Sequence, residues 1–466
     1  MLKAALCIYA LPNAFVLLAN GERACYAKRR KKAMTAAIVI ACVTFALLVA
    51  SILLLPSIRL GKVRLDTYWI VALLGAVILL AARLLPIEEL GDRLIAKGNT
   101  GPLQILALFI SMTFLSVYLD EVGLFGYLAA RAARLARANQ TVLFVVLYLL
   151  VSVLTVFTSN DIIILTFTPF ICFFCKNARI DPLPYLVAEF AAANTWSMML
   201  VIGNPTNIYL ATTAGLAFGE YFVTMALPTV AAGAVEFGLI LAIFWRKLKQ
   251  PMDYVPQPGT ISSKPDLWVG VAHLGVCLAA LVVADYVHIP MWLVSLAAAG
   301  SLVLCSIVIR LITRSGWRLL CRSAARLPWQ LIPFVLSMFV IVICWQYQGV
   351  SAKLGEWLGD KALVWTYGAT SFLACNLINN IPMSILFGSL PVGLPAELAR
   401  QATFATIIGS NLGAFLTPVG ALAGIMFTDL TRRYEVNYGF ARFVGYGALI
   451  SVPTLAVALG ILSLMV

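Results

Sequence analysis

The sequence predicts an all-α polytopic membrane protein. It reads as an inverted repeat of two five-helix halves, each with a re-entrant hairpin and a broken transmembrane helix. Three observations lead there. Of 466 residues, 62% are hydrophobic and only 11% charged, against roughly 25% charged in soluble proteins. Apolar runs of about 20 residues, enough to cross a bilayer core, recur along the chain. Four polar interruptions then fall in the same order in each half. So few charges cannot cover a soluble exterior, which excludes a secreted disulfide scaffold, a disordered chain and an ordinary cytosolic enzyme.

The apolar runs lie at 34–56, 67–86, 101–119, 185–215, 221–245, 267–284, 289–309, 328–348, 400–428 and 440–465. Two further stretches, 141–175 and 363–390, do not read as simple spans. The first breaks at Thr158-Ser159-Asn160-Asp161. Its arms, 141–157 and 162–175, would reach about 25 and 21 Å as helices, and the second falls short of a core about 30 Å thick. The second stretch breaks at Asn376-Leu377-Ile378-Asn379-Asn380-Ile381-Pro382. Both therefore read as hairpins with polar tips inside the bilayer.

Two long runs are also interrupted. In 185–215 the sequence Gly203-Asn204-Pro205-Thr206-Asn207 stops the helix, and in 400–428 the sequence Gly409-Ser410-Asn411-Leu412-Gly413 precedes Thr417-Pro418-Val419-Gly420. Backbone groups freed inside a membrane persist only where protein or a wet cavity satisfies them. Residues 34–245 and 267–466 thus share one succession: three spans, a hairpin, a broken span, a span. Ser111-Met112 and Gly123 match Ser337-Met338 and Gly349 at a constant offset. Five crossings per half is an odd number, so the second half is expected to be inverted, the plan of many secondary transporters.

The net charge of +13 reflects membrane orientation rather than nucleic-acid binding. With loops 57–66, 131–140, 176–184, 246–266, 310–327 and 429–442 in the cytoplasm, 20 Lys and Arg lie inside and five in the opposite loops, in line with the positive-inside rule. Residues 1–33 match neither half and are strongly basic between Arg23 and Lys32. They read as a peripheral or cleaved element, a poor signal peptide, or an extension upstream of a start at Met34. The linker 246–266 joins the halves, and no phosphate-binding G-x-x-x-x-G-K-[ST] occurs. An ATP-driven cycle would need a separate ATPase subunit.

The interruptions carry the candidate chemistry. Exposed helix N-termini suit anions or polar oxygens; unwound carbonyls with Asn and Thr side chains suit a small cation or a neutral hydroxylated solute. The candidates are Thr158, Ser159, Asn160, Asp161, Asn194, Thr195, Gly203, Asn204, Pro205, Thr206 and Asn207 in the first half. In the second they are Asn376, Asn379, Asn380, Pro382, Ser410, Asn411, Gly413, Thr417, Pro418 and Gly420. Asp161 and Glu189 are the candidate proton carriers, because a carboxylate at membrane depth is costly and marks function. Glu236 reads as a polar contact in a span outside this cluster, Asp120-Glu121 as a wet span end, Arg83 as a snorkelling side chain, and Trp245 and Trp329 as interface-belt aromatics. Cys172 and Cys175 read as apolar filler. With His273 and His288 the only histidines and no ligand spacing among ten cysteines, no metal site or cofactor is expected.

These motifs resemble the ion transporter superfamily, and within it the arsenical-pump and NhaD-like branch. The resemblance runs over about 34–466. It rests on Thr158-Ser159-Asn160-Asp161 with Leu165-Thr166-Phe167-Thr168-Pro169, on Ala193-Asn194-Thr195 and Gly203 to Asn207, and on Asn379-Asn380-Ile381-Pro382, Gly409 to Gly413 and Thr417 to Gly420. It implies an elevator-type carrier in the cell membrane, not an enzyme, whose hairpins and broken spans slide against a scaffold. Proton-coupled efflux of arsenite or antimonite is the leading expectation. Cation-coupled transport of carboxylates or inorganic anions, and sodium/proton antiport, are the alternatives, so the coupling ion is H+ or Na+. A separate ATPase subunit and a homodimer remain open. Where the carboxylate carriers have Ser-Asn-Thr at both tips, this chain has Ser159-Asn160-Asp161 and Asn379-Asn380-Ile381, which suits a neutral solute exchanged for protons.

Overall fold

A computed structural model describes residues 30–466 apart from 53, 56, 61–62, 95–101, 138, 254–258, 285–286 and 392. The expected element at 1–33 therefore lies largely outside the described residues. Helix α1 (Arg30–Ile52) begins earlier than the sequence reading, so Arg30, Lys31 and Lys32 form its first turn. The stretch 57–66, expected as a plain loop, is an antiparallel ribbon of β1 (Ser57–Leu60) and β2 (Val63–Asp66), with Ser57 opposite Asp66. Helix α2 (Thr67–Ala81) stops short of the expected 86. Arg83 therefore sits exposed in the following turn at φ 52°, outside any span.

After the short α3 (Ile87–Leu94), α4 (Pro102–Val122) runs through the interior and ends at Gly123, whose φ is 99°. Only glycine fits there, because a Cβ would also lie 2.5 Å from the Thr260 carbonyl. The chain turns into α5 (Leu124–Leu135). In the second half α14 (Leu331–Tyr347) turns by 79° into α15 (Val350–Leu358) at Gly349, φ 77°.

The first hairpin is α6 (Gln140–Phe157) and α7 (Asn160–Ala178). The length argument from sequence fails for α7: Asn160 and Asp161 join its first turn and Lys176 to Ala178 its last, so 19 residues give about 28 Å. Both arms are long and apolar enough to cross a bilayer. The second hairpin is shorter, α16 (Leu363–Ile378) and α17 (Asn380–Phe387); α17 would reach only about 12 Å.

The first broken helix is α8 (Leu183–Trp196), two 3-10 turns at Ser197–Met199 and Val201–Gly203, and α9 (Pro205–Thr213). The second is α18 (Ala396–Gly413) and α19 (Leu422–Arg433). The run Gly409 to Gly413, expected to unwind, is helical. Its glycines serve close packing instead: a Cβ on Gly409 would strike Ser371 and the Gly368 carbonyl, and one on Gly413 would strike Cys375 and the Phe372 carbonyl. The unwound stretch lies after Gly413. Long helices complete the chain: α10 (Phe218–Leu248), α11 (Lys264–Ala284), α12 (Met291–Thr313), the short α13 (Arg318–Ala325) and α20 (Phe440–Met465). Among the described residues eight helices are long and apolar enough to cross a membrane, or nine with α14 and α15 as one span.

Two apolar cores result. One gathers α1, α2, α4, α9, α14, α17 and α18. The other gathers α6, α7, α8, α10, α19 and α20, with Phe190 4.7 Å from Phe427 and 5.3 Å from Phe443 between ring centres. A buried ion pair, Arg310 to Asp266 at 3.1 Å, ties α12 to α11, and Tyr118 of α4 donates to the same carboxylate at 2.5 Å. The linker is fastened at both ends. Gln140 donates to the Gln250 carbonyl at 2.9 Å and the Asp253 amide to the Ala178 carbonyl at 3.3 Å, while the Ser262 amide donates to the Val122 carbonyl at 2.9 Å.

Candidate functional site

The tip of the first hairpin is built by backbone that leaves the helix for two residues. Thr158 is extended and returns its hydroxyl to the Leu154 carbonyl at 2.7 Å; Ser159 then precedes α7 without using its side chain as a cap. Asn160 is buried. Its oxygen accepts from the Asp161 amide at 2.9 Å and its amide donates to Asn194 Oδ1 on α8 at 3.3 Å. Beyond the end of α8, Ser197 lies 2.8 Å from the Asn194 carbonyl and 2.9 Å from Asn411 Oδ1 of α18.

Asn411 is the hub. Its oxygen accepts from Asn204 Nδ2 at 3.0 Å, and its amide donates to Asn207 Oδ1 at 2.7 Å and to the Ile407 carbonyl at 2.8 Å. Asn207 in turn donates to the Ser197 carbonyl at 2.9 Å. Asn204 caps α9 by accepting from the Thr206 amide at 3.2 Å, with Pro205 at the first helical position, where no amide proton is needed. Gly203 packs so tightly that a Cβ would lie 2.1 Å from the Ser197 carbonyl.

The second hairpin closes on the unwound stretch after α18. Asn376 donates to the Gly413 carbonyl at 2.9 Å and accepts from Thr417 at 2.7 Å. Asn379 donates to the Val419 carbonyl at 2.9 Å, and the Asn380 amide donates to the Gly420 carbonyl at 2.9 Å. Asn379 holds φ 72° and ψ 153°, a region nearly restricted to glycine that costs on the order of 1–3 kcal/mol. Pro382 is buried in the first turn of α17. Pro418 presents its carbonyl to Gly424, where a Cβ would come within 2.5 Å.

The sequence-selected asparagines, with Gly413, Thr417 and Gly420, form two sets, which Ser197 and Val419, not selected from sequence, complete. One runs from Asn160 through Asn194 and Ser197 to Asn411, Asn204 and Asn207; the other joins Asn376, Asn379 and Asn380 to Gly413, Thr417, Val419 and Gly420. They meet along α18, where Asn411 and Gly413 are two residues apart. Three buried oxygens of candidate residues, Thr206 Oγ1, Asn380 Oδ1 and Ser410 Oγ, have no hydrogen-bond partner among the described residues.

A cavity of about 520 Å³ reaches the first tip. Ser159 and Asp161 line it together with the buried Tyr68 and Thr113, and its more exposed lining comes from Arg326 and Trp329 in the segment before α14 and from Arg433 of α19. Among the described residues no side chain bonds to the Asp161 carboxyl. The arginines are committed: Arg326 pairs with Asp120 at 2.7 Å and Glu121 at 2.8 Å, and Arg433 with Asp429 at 2.5 Å. Burial pulls the Arg326 pKa down, but the Asp120 and Glu121 carboxylates outweigh it and hold it above its ordinary value. Asp120 and Glu121 are thus ion-paired rather than wet, and Trp329 lines the cavity.

Glu189 lies apart, buried behind the hairpin, where Thr168 donates to its carboxyl at 2.9 Å. Cys172 and Cys175 are free and buried and do not line the cavity. Sequence reasoning missed the Ser197 bridge, the arginine pairs and the surroundings of Glu236, whose carboxyl bonds Thr195 and Tyr148. For Glu236 the signal was present: a lone carboxylate in the apolar middle of α10.

Residues 60–405 match the model of the CitMHS family, described as citrate transporter. The chain belongs to this family. Among curated relatives, arsenical pump membrane proteins of Yersinia enterocolitica and of Escherichia coli K12 are both 27% identical, over 380 and 383 residues. Each match covers 77% of this chain and 85% of the relative. An uncharacterised transporter of Mycobacterium tuberculosis is 25% identical over 437 residues, covering 89% of this chain and 96% of that protein. The fold resembles that of the Alcanivorax borkumensis YdaH transporter, whose crystal structure has a topology described as unusual. The TM-score is 0.53 and the identity 16%, with 93% of this chain and 98% of that one covered. Family, relatives and helical architecture agree: the protein is a multi-pass membrane transporter and not an enzyme.

Proposed function

We propose that the protein exports arsenite or antimonite in exchange for protons. The observation that carries this is the unpaired Asp161 carboxyl beside Ser159 in a cavity whose arginines are already paired. A neutral hydroxylated solute such as As(OH)₃ and a titrating acid suit that lining. A multiply charged carboxylate would meet no uncommitted cation among the described lining residues. The relatives named arsenical pumps support the same substrate class. Moving a neutral solute needs no work against membrane voltage, and each exchanged proton adds about 2.3 kcal/mol per 100 mV.

In this reading the two halves are inverted repeats and the hairpins are re-entrant. The loops 57–66, 131–140, 246–266 and 310–327 face the cytoplasm of the cell membrane. The cavity then opens inward, beside 325–330 and α19. The hairpins and broken helices move as one unit against the other helices, and Asp161, backed by Glu189, couples the proton. A second reading, cation-coupled uptake of a carboxylate, is favoured by the family's description and by the α7 N-terminus at the cavity.

Inverted vesicles with an acid interior test the choice. Arsenite accumulation that Asp161→Asn abolishes supports export. Sodium-dependent citrate uptake in right-side-out vesicles, with no response to arsenite, overturns it.

A further inference from the structure

Glu236 is 1% exposed in the middle of α10. Each of its oxygens meets one hydroxyl: Tyr148 of α6 at 3.1 Å from Oε1, and Thr195 of α8 at Oε2. Trp196 Nε1 donates to the Tyr148 oxygen at 3.3 Å, and that phenol also lies 2.8 Å from the Gly233 carbonyl. The indole of Trp196 covers Gly233 so closely that a Cβ there would sit 2.6 Å from it. No space is left for another side chain.

The hydrogen inventory of this cluster closes in two ways. A phenol has one proton, yet Tyr148 faces two acceptors. With Glu236 ionised, Tyr148 and Thr195 both donate to the carboxylate. With Glu236 protonated, the acid donates to the Tyr148 oxygen and the phenol turns its own proton to the Gly233 carbonyl. The two states differ by one proton and one rotation about a C–O bond.

Among the described residues no cation bonds the ionised carboxylate. Among the described residues Tyr148 is the one titratable group bonded to the carboxyl. Helix α8 contributes Thr195 and Trp196. Arg442 and Tyr446 on α20, and Lys264, Asp266 and His273 on α11, make no bond to it among the described residues. An unbalanced buried charge is costly, so the carboxyl takes up a cation. With two hydroxyls as its bonded partners among the described residues, too few oxygens for a metal cation, that cation is a proton. Thr195 follows Asn194, which accepts from Asn160 at the first hairpin tip, so the charge on Glu236 bears on the strut that holds the tip.

We propose that Glu236 is a further proton-carrying residue of this transporter, beyond Asp161 and Glu189, with Tyr148 and Thr195 as its hydroxyl partners, communicating with the first hairpin through Asn194. This rests on the proton-coupled reading above. Glu236→Gln preserves size and both hydrogen-bonding positions while removing the titration.

In the full protein in lipid, an infrared pH titration is expected to show a protonated carboxylic-acid carbonyl band that Glu236→Gln lacks and Asp161→Asn keeps. In vesicles, Glu236→Gln is expected to lower acid-gradient-driven arsenite accumulation by about tenfold or more while arsenite counterflow at equal pH persists. An unchanged band or unchanged accumulation overturns the proposal. So does joint loss of accumulation and counterflow in protein that elutes as the wild type, which would make Glu236 structural. Should Glu236→Gln not fold, Tyr148→Phe must shift the band frequency, and an unmoved band has the same overturning force. If the wild type does not move arsenite at all, the export reading fails while the infrared titration still decides Glu236.

Discussion

The side-chain amide of Asn411 donates to the side-chain oxygen of Asn207 across 2.7 Å, although 204 residues separate them. Each belongs to a different half of the chain, and each also holds backbone of its own half. Asn411 reaches back to the Ile407 carbonyl, and Asn207 to that of Ser197. This amide pair fastens the two broken helices to each other.

Asn411→Ala removes the hub and strands the buried Asn204 amide and Asn207 oxygen, while Ser197 keeps the Asn194 carbonyl. Buried polar groups left unsatisfied cost about 1–3 kcal/mol each. We expect a loss of several degrees in melting temperature and no transport in vesicles, read by thermal scanning of the purified protein alongside flux. A melting temperature equal to wild type would show that the hub is dispensable.

Asp161→Cys reports on the cavity. The position borders the cavity and its carboxyl has no partner among the described residues to lose, so stability should change by no more than about 0.5 kcal/mol. A membrane-impermeant thiol reagent should label it from the side on which Arg326 and Arg433 lie. Cysteine at the enclosed Asn194 should label far more slowly. Equal rates at the two positions would contradict the cavity's course.

Gly203→Ala and Gly219→Ala form a pair. The first forces a methyl group against the Ser197 carbonyl. The second adds one where nothing lies within 4 Å, inside the first turn of α10. Overpacking costs about 1–3 kcal/mol or more, whereas Gly to Ala in a helix gains roughly 0.5–1 kcal/mol. Opposite shifts in unfolding temperature are expected. Shifts of the same sign would mean that the break in the first broken helix is looser than its geometry.

Asn379→Gly and Asn379→Ala separate backbone from side chain. Both lose the bond to the Val419 carbonyl, but only glycine relaxes at φ 72°. Alanine should therefore be the less stable variant by about 1 kcal/mol or more, measured by thermal inactivation of flux. If the two variants behave alike, the strain at the second tip has no energetic weight.

Much of this was legible because Asn, Gly and Pro leave strong marks in apolar sequence. Asn204-Pro205 shows where α9 starts, and Asn379 shows where α17 is capped. The same logic misled at Gly409 to Gly413, where the glycines let α18 approach α16 instead of unwinding; a single sequence does not distinguish glycine needed for close approach from glycine needed for a turn. Length misleads at α7, because Asn160 and Asp161 read as tip in the sequence yet begin the helix. What sequence could not give was pairing at long range. Glu236 meets Thr195, Arg326 meets Asp120, and Ser197 meets Asn411 only once the helices are packed. For Glu236 that is the difference between an incidental polar contact and a residue bonded beside the first tip.

The fastening of the linker has a mechanical corollary. One anchor, at Gln250 and Asp253, holds the base of the first hairpin, and the other, at Ser262, holds the corner between α4 and α5. From Asp253 to Ser262 there are nine Cα steps, a leash whose taut length is about 30 Å. While both anchors hold, those two points cannot part by more than that.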